Sequence, residues 1–234
     1  MSRHFISQAR SVVPACDVDL DTFKRLVKAT ASVEKIGAYK IGFSLALTHG
    51  LSEIVKVARG YTSKPLIYDH QKAGTDIPDT GELFANIVAT AKVDAVIFFP
   101  QSGPLTLRAW TQAAQHRGLH VIVGGRMTHD QYVKSRGGYI ADDAIMRMYE
   151  DAIELGVRDF VVPGNQSTFI KDLRDRMGDI ARESVFYAPG FVMQGGDISE
   201  AGHVAGPNWH AIVGRAIYDQ PDMRRAAIDL TAKL

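Results

Sequence analysis

Residues 11–30, SVVPACDVDLDTFKRLVKAT, decide the fold. An apolar strand, SVVPACD (11–17), passes through a short polar turn into a stretch of helical periodicity, LDTFKRLVKAT (20–30). The same two-part unit recurs along the chain. Further strand-like runs are AYKIGFS (38–44), PLIYD (65–69), DAVIFFP (94–100), HVIVGGR (120–126), RDFVVPG (158–164), SVFYAPG (184–190) and HAIVGRA (210–216). Helix-period stretches fall between them: LSEIVKVARGY, GELFANIVATAKV, LTLRAWTQAAQHRG, DDAIMRMYEDAIELG and TFIKDLRDRMG, with MRRAAIDLTAKL at the end. The seventh crossover alone is poor in helix signal.

Continuous apolar strands alternating with amphipathic helices imply a parallel sheet covered by helices. Eight strands in 234 residues, about 29 per unit, predict closure into an α/β, single-domain (β/α)8 TIM barrel spanning 1–234. The competing architecture is an open doubly wound sheet, but its glycine fingerprint, GxGxxG, does not follow the first strand. A polar, glycine-containing stretch, THDQYVKSRGGY (128–139), predicts an extended loop or small extra helix after the fifth strand.

Composition bounds the partner. With 27 Lys plus Arg against 26 Asp plus Glu, the net charge of +1 offers no bulk electrostatic surface for nucleic acid or membrane, so a small molecule is the expected ligand. A single cysteine, Cys16, forms no internal disulfide and fits a reducing compartment. MSRHFISQAR lacks the apolar core of a secretory signal, and no apolar run approaches the ~20 residues of a membrane span. A cytoplasmic protein is expected.

In a barrel the chemistry sits at the C-terminal ends of the strands, so position along a strand is a functional label. Strand one ends in Asp17, strand two carries Lys40, strand three ends in Asp69 with Lys72 just beyond, and strand eight runs into Gly214 and Arg215. Any one of these alone reads as a solvated charge; four strand ends together do not. Lys40 lies inside the apolar GAYKIGFS, where an ammonium needs carboxylates, and Asp17 and Asp69 are the available partners. The glycines of QGGD (194–197) and the VGRA of strand eight suit a phosphate through free backbone N–H groups and the Arg215 fork, at the usual phosphate corner of such barrels. The opposing reading makes the glycines turn residues and Arg215 a surface charge.

DHQKAGTDIPDT (69–80), followed downstream by PGFVMQGGD and HAIVGRAIY, closely resembles the orotidine 5'-phosphate decarboxylase family, from PACDVD through YKIG to the last strand. The resemblance implies a cofactor-independent homodimer with sites at the subunit interface. It implies a catalytic array of Lys40, Asp69, Lys72 and, from the neighbouring subunit, Asp76. It places Asp17 and Lys40 on the ribose hydroxyls, with Thr80 reaching across from the partner subunit. Gln194 and Arg215 would hold the phosphate, and Thr128 stands where the family has a serine touching the pyrimidine. Ile77, Pro189, Gly195 and Gly214 complete the implied substrate contacts. No metal ligand is implied.

The spacing departs from the family in one place. Two residues, His70 and Gln71, separate Asp69 from Lys72 where the family has one, and three separate Lys72 from Asp76 where it has two. Since side chains alternate along a strand, Asp69 and Lys72 would face opposite ways unless a bulge or an early strand end restores them to one pocket. Pro78 would fix the exit of the crossing segment.

A magnesium-dependent sugar-phosphate decarboxylase or aldolase of the same barrel group is a rival, but it calls for an acidic metal ligand near strand two, and YKIGFSLALTHG holds none. A non-catalytic nucleotide-binding barrel is the second, and Lys72 argues against it. His70 beside Asp69 reads as structural rather than a metal ligand. Trp110 and Trp209 read as packing residues, and Cys16 as a small buried strand residue.

Overall fold

Eight parallel strands close on themselves in chain order. They are β1 (Arg10–Cys16), β2 (Tyr39–Ile41), β3 (Leu66–Asp69), β4 (Ala95–Phe98), β5 (His120–Gly124), β6 (Asp159–Val161), β7 (Val185–Pro189) and β8 (Trp209–Val213). The last strand pairs back onto the first in parallel, from Arg10 opposite Trp209 to Pro14 opposite Val213, which makes the sheet a barrel rather than an open sheet. This computed structural model describes residues 4–70, 76–189 and 198–234, so Lys72, Gln194 and Gly195 lie outside the described residues.

The helices are α1 (Leu20–Thr30), α2 (Phe43–His49), α3 (Leu51–Arg59), α4 (Gly81–Thr90), α5 (Pro104–His116), α6 (Asp142–Glu154), α7 (Ser167–Met177), α8 (Ile180–Glu183), α9 (Ile198–Ala205), α10 (Arg215–Tyr218) and α11 (Met223–Thr231). Each stretch of helical period in the sequence is one of them. In α1 the Asp19 carboxylate caps the Thr22 N–H, and Phe23, Leu26, Val27 and Thr30 form the buried stripe.

Two elements differ from the sequence reading. The second strand stops at Ile41, and Phe43 and Ser44 already belong to α2, which buries only Leu45 and so carries no apolar stripe for periodicity to detect. The seventh crossover contains α9. The 128–139 loop is a compact excursion with one 3-10 turn, Lys134–Arg136, closed by a parallel bridge between Val133 and Ile140. Among the described residues no helix is long and apolar enough to cross a membrane.

Strand alternation sorts the core into two shells. Val13, Ala15, Ala38, Ile67, Ile97 and Ile122 fill the barrel, while Cys16, Tyr39, Ile41, Tyr68 and Val96 pack outward against the helices. The floor is capped by the N-terminal segment: Ile6 is buried, and the Phe5 ring stacks on His120 at 4.7 Å between centroids.

Polar groups line that floor. Tyr187 Oη donates to Asp159 Oδ1 at 3.0 Å, and Ser11 Oγ pairs with His210 Nδ1 at 2.8 Å. Burial raises the Asp159 carboxyl to about 7, against the lowering effect of the Tyr187 hydrogen bond, and lowers the His210 imidazole to about 3, helped by the nearby His4. The two act oppositely on stability. Asp159 holds a proton in the folded chain that the unfolded chain releases near pH 4, so its contribution falls as pH rises to about 7. His210 stays neutral where the unfolded chain is protonated, so its contribution rises up to about pH 6.5. Asp159→Asn keeps an acceptor for Tyr187 and removes only the first dependence. The variant should therefore match the native chain near pH 4 and gain on it by about 1.4 kcal/mol per unit up to about pH 7, measured by urea denaturation. A stability difference independent of pH would contradict the buried proton.

Candidate active site

All eight strand C-termini open on one rim, and register brings three charges together there. Lys40 pairs across to Ala15 on one side and Ile67 on the other, two interior-facing positions. Asp17 and Asp69 each follow those positions by two residues, hence on the same face and one layer nearer the mouth. The lysine stem reaches up that layer. Lys40 Nζ lies 2.5 Å from Asp69 Oδ2 and 3.5 Å from Asp17 Oδ2. Asp69 and Lys40 are buried, at 2% and 4% exposure, whereas the Asp17 side chain is 28% exposed and faces the opening.

Burial works against the Lys40 ammonium, but Asp69 first and Asp17 second outweigh it and hold its pKa above the ordinary lysine value. It is a permanent cation at neutral pH. Gly42, just past β2, is required by close approach: a Cβ there would stand 2.0 Å from Asp17 Oδ1. Beside Asp17 a cavity of about 380 Å3 opens toward Ser44, Thr48 and His49. Cys16, next to this cluster, is fully buried with its thiol pKa pushed far up by desolvation, which suits a packed strand residue and not a nucleophile.

β3 ends at Asp69, the position at which the sequence reading also ends it. His70 leaves the sheet sideways. Its ring packs against Phe84 (4.5 Å) and Trp110 (5.8 Å), and burial lowers its pKa, partly offset by Asp69. It is thus an aromatic-cluster residue, as is Trp110. Asp76 to Thr80 is tied down on α5: Thr106 Oγ1 donates to the Asp76 carbonyl (3.0 Å) and Trp110 Nε1 to the Ile77 carbonyl (3.1 Å). Asp76 and Ile77 are exposed, and Thr80 Oγ1 donates to the Ile77 carbonyl at 2.8 Å.

At the β5 exit, three side chains hold the backbone that leads to half-buried Thr128. Tyr132 Oη donates to the Gly125 carbonyl (2.9 Å), the Arg126 N–H donates to Tyr149 Oη (3.3 Å), and Gln166 Nε2 donates to the Met127 carbonyl (3.3 Å). Gln166 Oε1 also accepts from Arg126 Nε at 2.5 Å, and the Arg126 guanidinium lies over the Phe169 ring. Nothing in the sequence pointed to this network, because Arg126 and Gln166 are forty residues apart on different crossovers. Gly125 has to be small, since a Cβ would meet Tyr149 at 2.9 Å.

On the remaining arc, Pro189 ends β7 and its carbonyl accepts from the Gly164 N–H at 3.0 Å. Gly214 follows β8, and exposed Arg215 begins α10 at the rim. Asp17, Lys40 and Asp69 therefore converge, Thr128, Pro189, Gly214 and Arg215 ring the same mouth, and Asp76, Ile77 and Thr80 sit on the segment docked on α5.

Three comparisons place this architecture. The model of the orotidine 5'-phosphate decarboxylase / HUMPS family matches residues 16–230. Among curated proteins, the chain is 30% identical over 216 residues to orotidine 5'-phosphate decarboxylase of Methanococcus maripaludis, covering 91% of this chain and 92% of that one. It is 27% identical over 219 residues to the enzyme of that name from Pyrococcus abyssi, covering 94% and 96%. Among solved structures, orotidine 5'-monophosphate decarboxylase of Methanocaldococcus jannaschii complexed with inhibitor BMP superposes with a TM-score of 0.80 at 27% identity, over 96% of this chain and 98% of that one. The Pyrococcus horikoshii structure gives 0.77 at 28% identity, over 95% and 98%.

Proposed function

Because the chain belongs to the orotidine 5'-phosphate decarboxylase / HUMPS family, we propose that residues 1–234 act as one barrel unit that converts orotidine 5'-monophosphate to UMP and carbon dioxide, the last step of de novo UMP synthesis. The observation that carries this reading is the buried Lys40 ammonium held by Asp69 and Asp17 at the barrel mouth, which supplies two of the four members of the array that this chemistry needs.

Breaking the bond from C6 to the carboxyl carbon leaves the electron pair on C6 in the ring plane, with no π system to spread it. The protein must supply the electrostatics. Asp69 and the Asp76 contributed by a second subunit would face the substrate carboxylate and disfavour it relative to the less charged centre that replaces it. Lys72, protonated among those carboxylates, would stabilise the developing charge and pass its proton to C6, to be reprotonated from water. Lys40 would fix Asp69 and, with Asp17, take the ribose hydroxyls. Thr128 would touch the base, with Ile77 and Pro189 beside it. Gln194, Gly195, Gly214 and Arg215 would hold the phosphate, whose binding energy orders the reacting end.

The expected result with metal-free protein in a strong chelator is loss of orotidine 5'-monophosphate absorbance at an unchanged rate. No loss at high enzyme concentration would end this reading, and loss only after magnesium is restored would favour the sugar-phosphate branch of the family.

A homodimer sharing Asp76 and Thr80 is part of the proposal. It is supported by exposed Ile77, Leu83, Ile87 and Leu105 on the docked segment, α4 and α5. Mixing inactive Lys72→Ala and Asp76→Asn chains would then regenerate one intact site in each mixed dimer. Random reassortment gives about a quarter of native activity; no recovery after verified exchange would rule out shared sites.

A further inference from the structure

Gln166 stands at the position preceding α7, where a side chain ordinarily caps the first free N–H groups, yet it makes no capping bond. Both ends of its amide instead cross to the next strand exit, accepting from Arg126 Nε and donating to the Met127 carbonyl. Arg126 is fixed from its other side by the Phe169 face of α7, and Met127 packs down onto the barrel interior. The two residues before Thr128 are thus joined through the amide of one glutamine. A polar cavity of about 230 Å3 lies alongside, lined by Arg126, Thr128, Arg136, Asn165 and Gln166. We propose that Gln166 is a positioning residue, which locks the β5 exit to the β6 exit and so fixes Thr128 against the pyrimidine ring of the bound nucleotide.

The inference rests on the decarboxylase reading of the site, in which Thr128 meets the base. Its consequence is selective. Phosphate and ribose contacts come from other strand ends, so loss of the clamp weakens only the part of binding that depends on the base.

Calorimetric titration of UMP and of ribose 5-phosphate into the native chain, Gln166→Ala and Gln166→Glu tests this. Gln166→Ala should weaken UMP about tenfold, the net worth of about one hydrogen bond to the base, and leave ribose 5-phosphate within about twofold. Gln166→Glu keeps the acceptor for Arg126 but brings no donor to the Met127 carbonyl. It should lose UMP affinity in the same selective way, and it carries the test if the alanine variant melts below the assay temperature. UMP affinity unchanged in the glutamate variant, or a parallel fall for both ligands, overturns the clamp. Native turnover of orotidine 5'-monophosphate is measured separately, so a failure of the site reading is distinguished from a failure of the clamp.

Discussion

Lys72→Ala is expected to retain UMP binding within a few-fold of the native chain while decarboxylating roughly 10^5-fold more slowly, the combined scale of a lost general acid and a lost charge at a developing anion. The split between binding and turnover follows from the division of labour at the mouth. In the proposed reading, ribose and phosphate contacts fall to Asp17, Lys40, Gln194 and Arg215, whereas the ammonium of Lys72 would act only as the carbon–carbon bond breaks. Single-turnover decay of substrate absorbance, beside a UMP titration, measures both quantities. A variant that kept more than about a hundredth of native turnover would remove the lysine from the chemistry, and one that lost UMP binding in proportion would make it a binding residue. The same variant separates an enzyme from a nucleotide-binding barrel that holds the ligand without acting on it.

The second large effect is on folding. Lys40→Ala leaves Asp69, 2% exposed, without the ammonium 2.5 Å away. Removing one partner of a buried pair typically costs about 3–5 kcal/mol, because the remaining charge keeps its desolvation penalty. Urea denaturation of Lys40→Ala should show a loss in that range, and Asp69→Asn placed in the same background should restore part of it by deleting the stranded charge. If the double variant is less stable than Lys40→Ala, the lysine contributes packing rather than charge compensation. Turnover should be lost in both variants, so this experiment reads stability alone.

The barrel was legible because its signal is repetitive: eight apolar runs, all but one interval 26–29 residues long, allow few other closures, and most of the helices between them show their stripes. The Lys40 cluster was legible for a different reason, that an ammonium within AYKIGFS has to find carboxylates, and strand ends supply them. Lost to the sequence were features whose partners are distant or whose stripe is absent. α2 buries Leu45 alone and left no periodic trace. Asp159 looks like any acid at the start of a strand until the floor beneath it is built from Phe5, Tyr187 and His210. Gln166 acts across forty residues through amide geometry, which no local pattern encodes. β3 ends at Asp69, as the sequence reading placed it, while Lys72 lies outside the described residues.

The anchoring of residues 76–80 on α5 gives the chain an intrinsic optical probe. Of its two tryptophans, Trp209 is sealed into the sheet, whereas the indole of Trp110 is bonded to the Ile77 carbonyl, stacked on Phe84 and tilted against His70. With Trp209 replaced by phenylalanine, emission would report from a single indole fastened to the stretch that the proposed dimer passes between protomers. Dilution-driven dissociation and ligand docking could then be followed in real time without a dye.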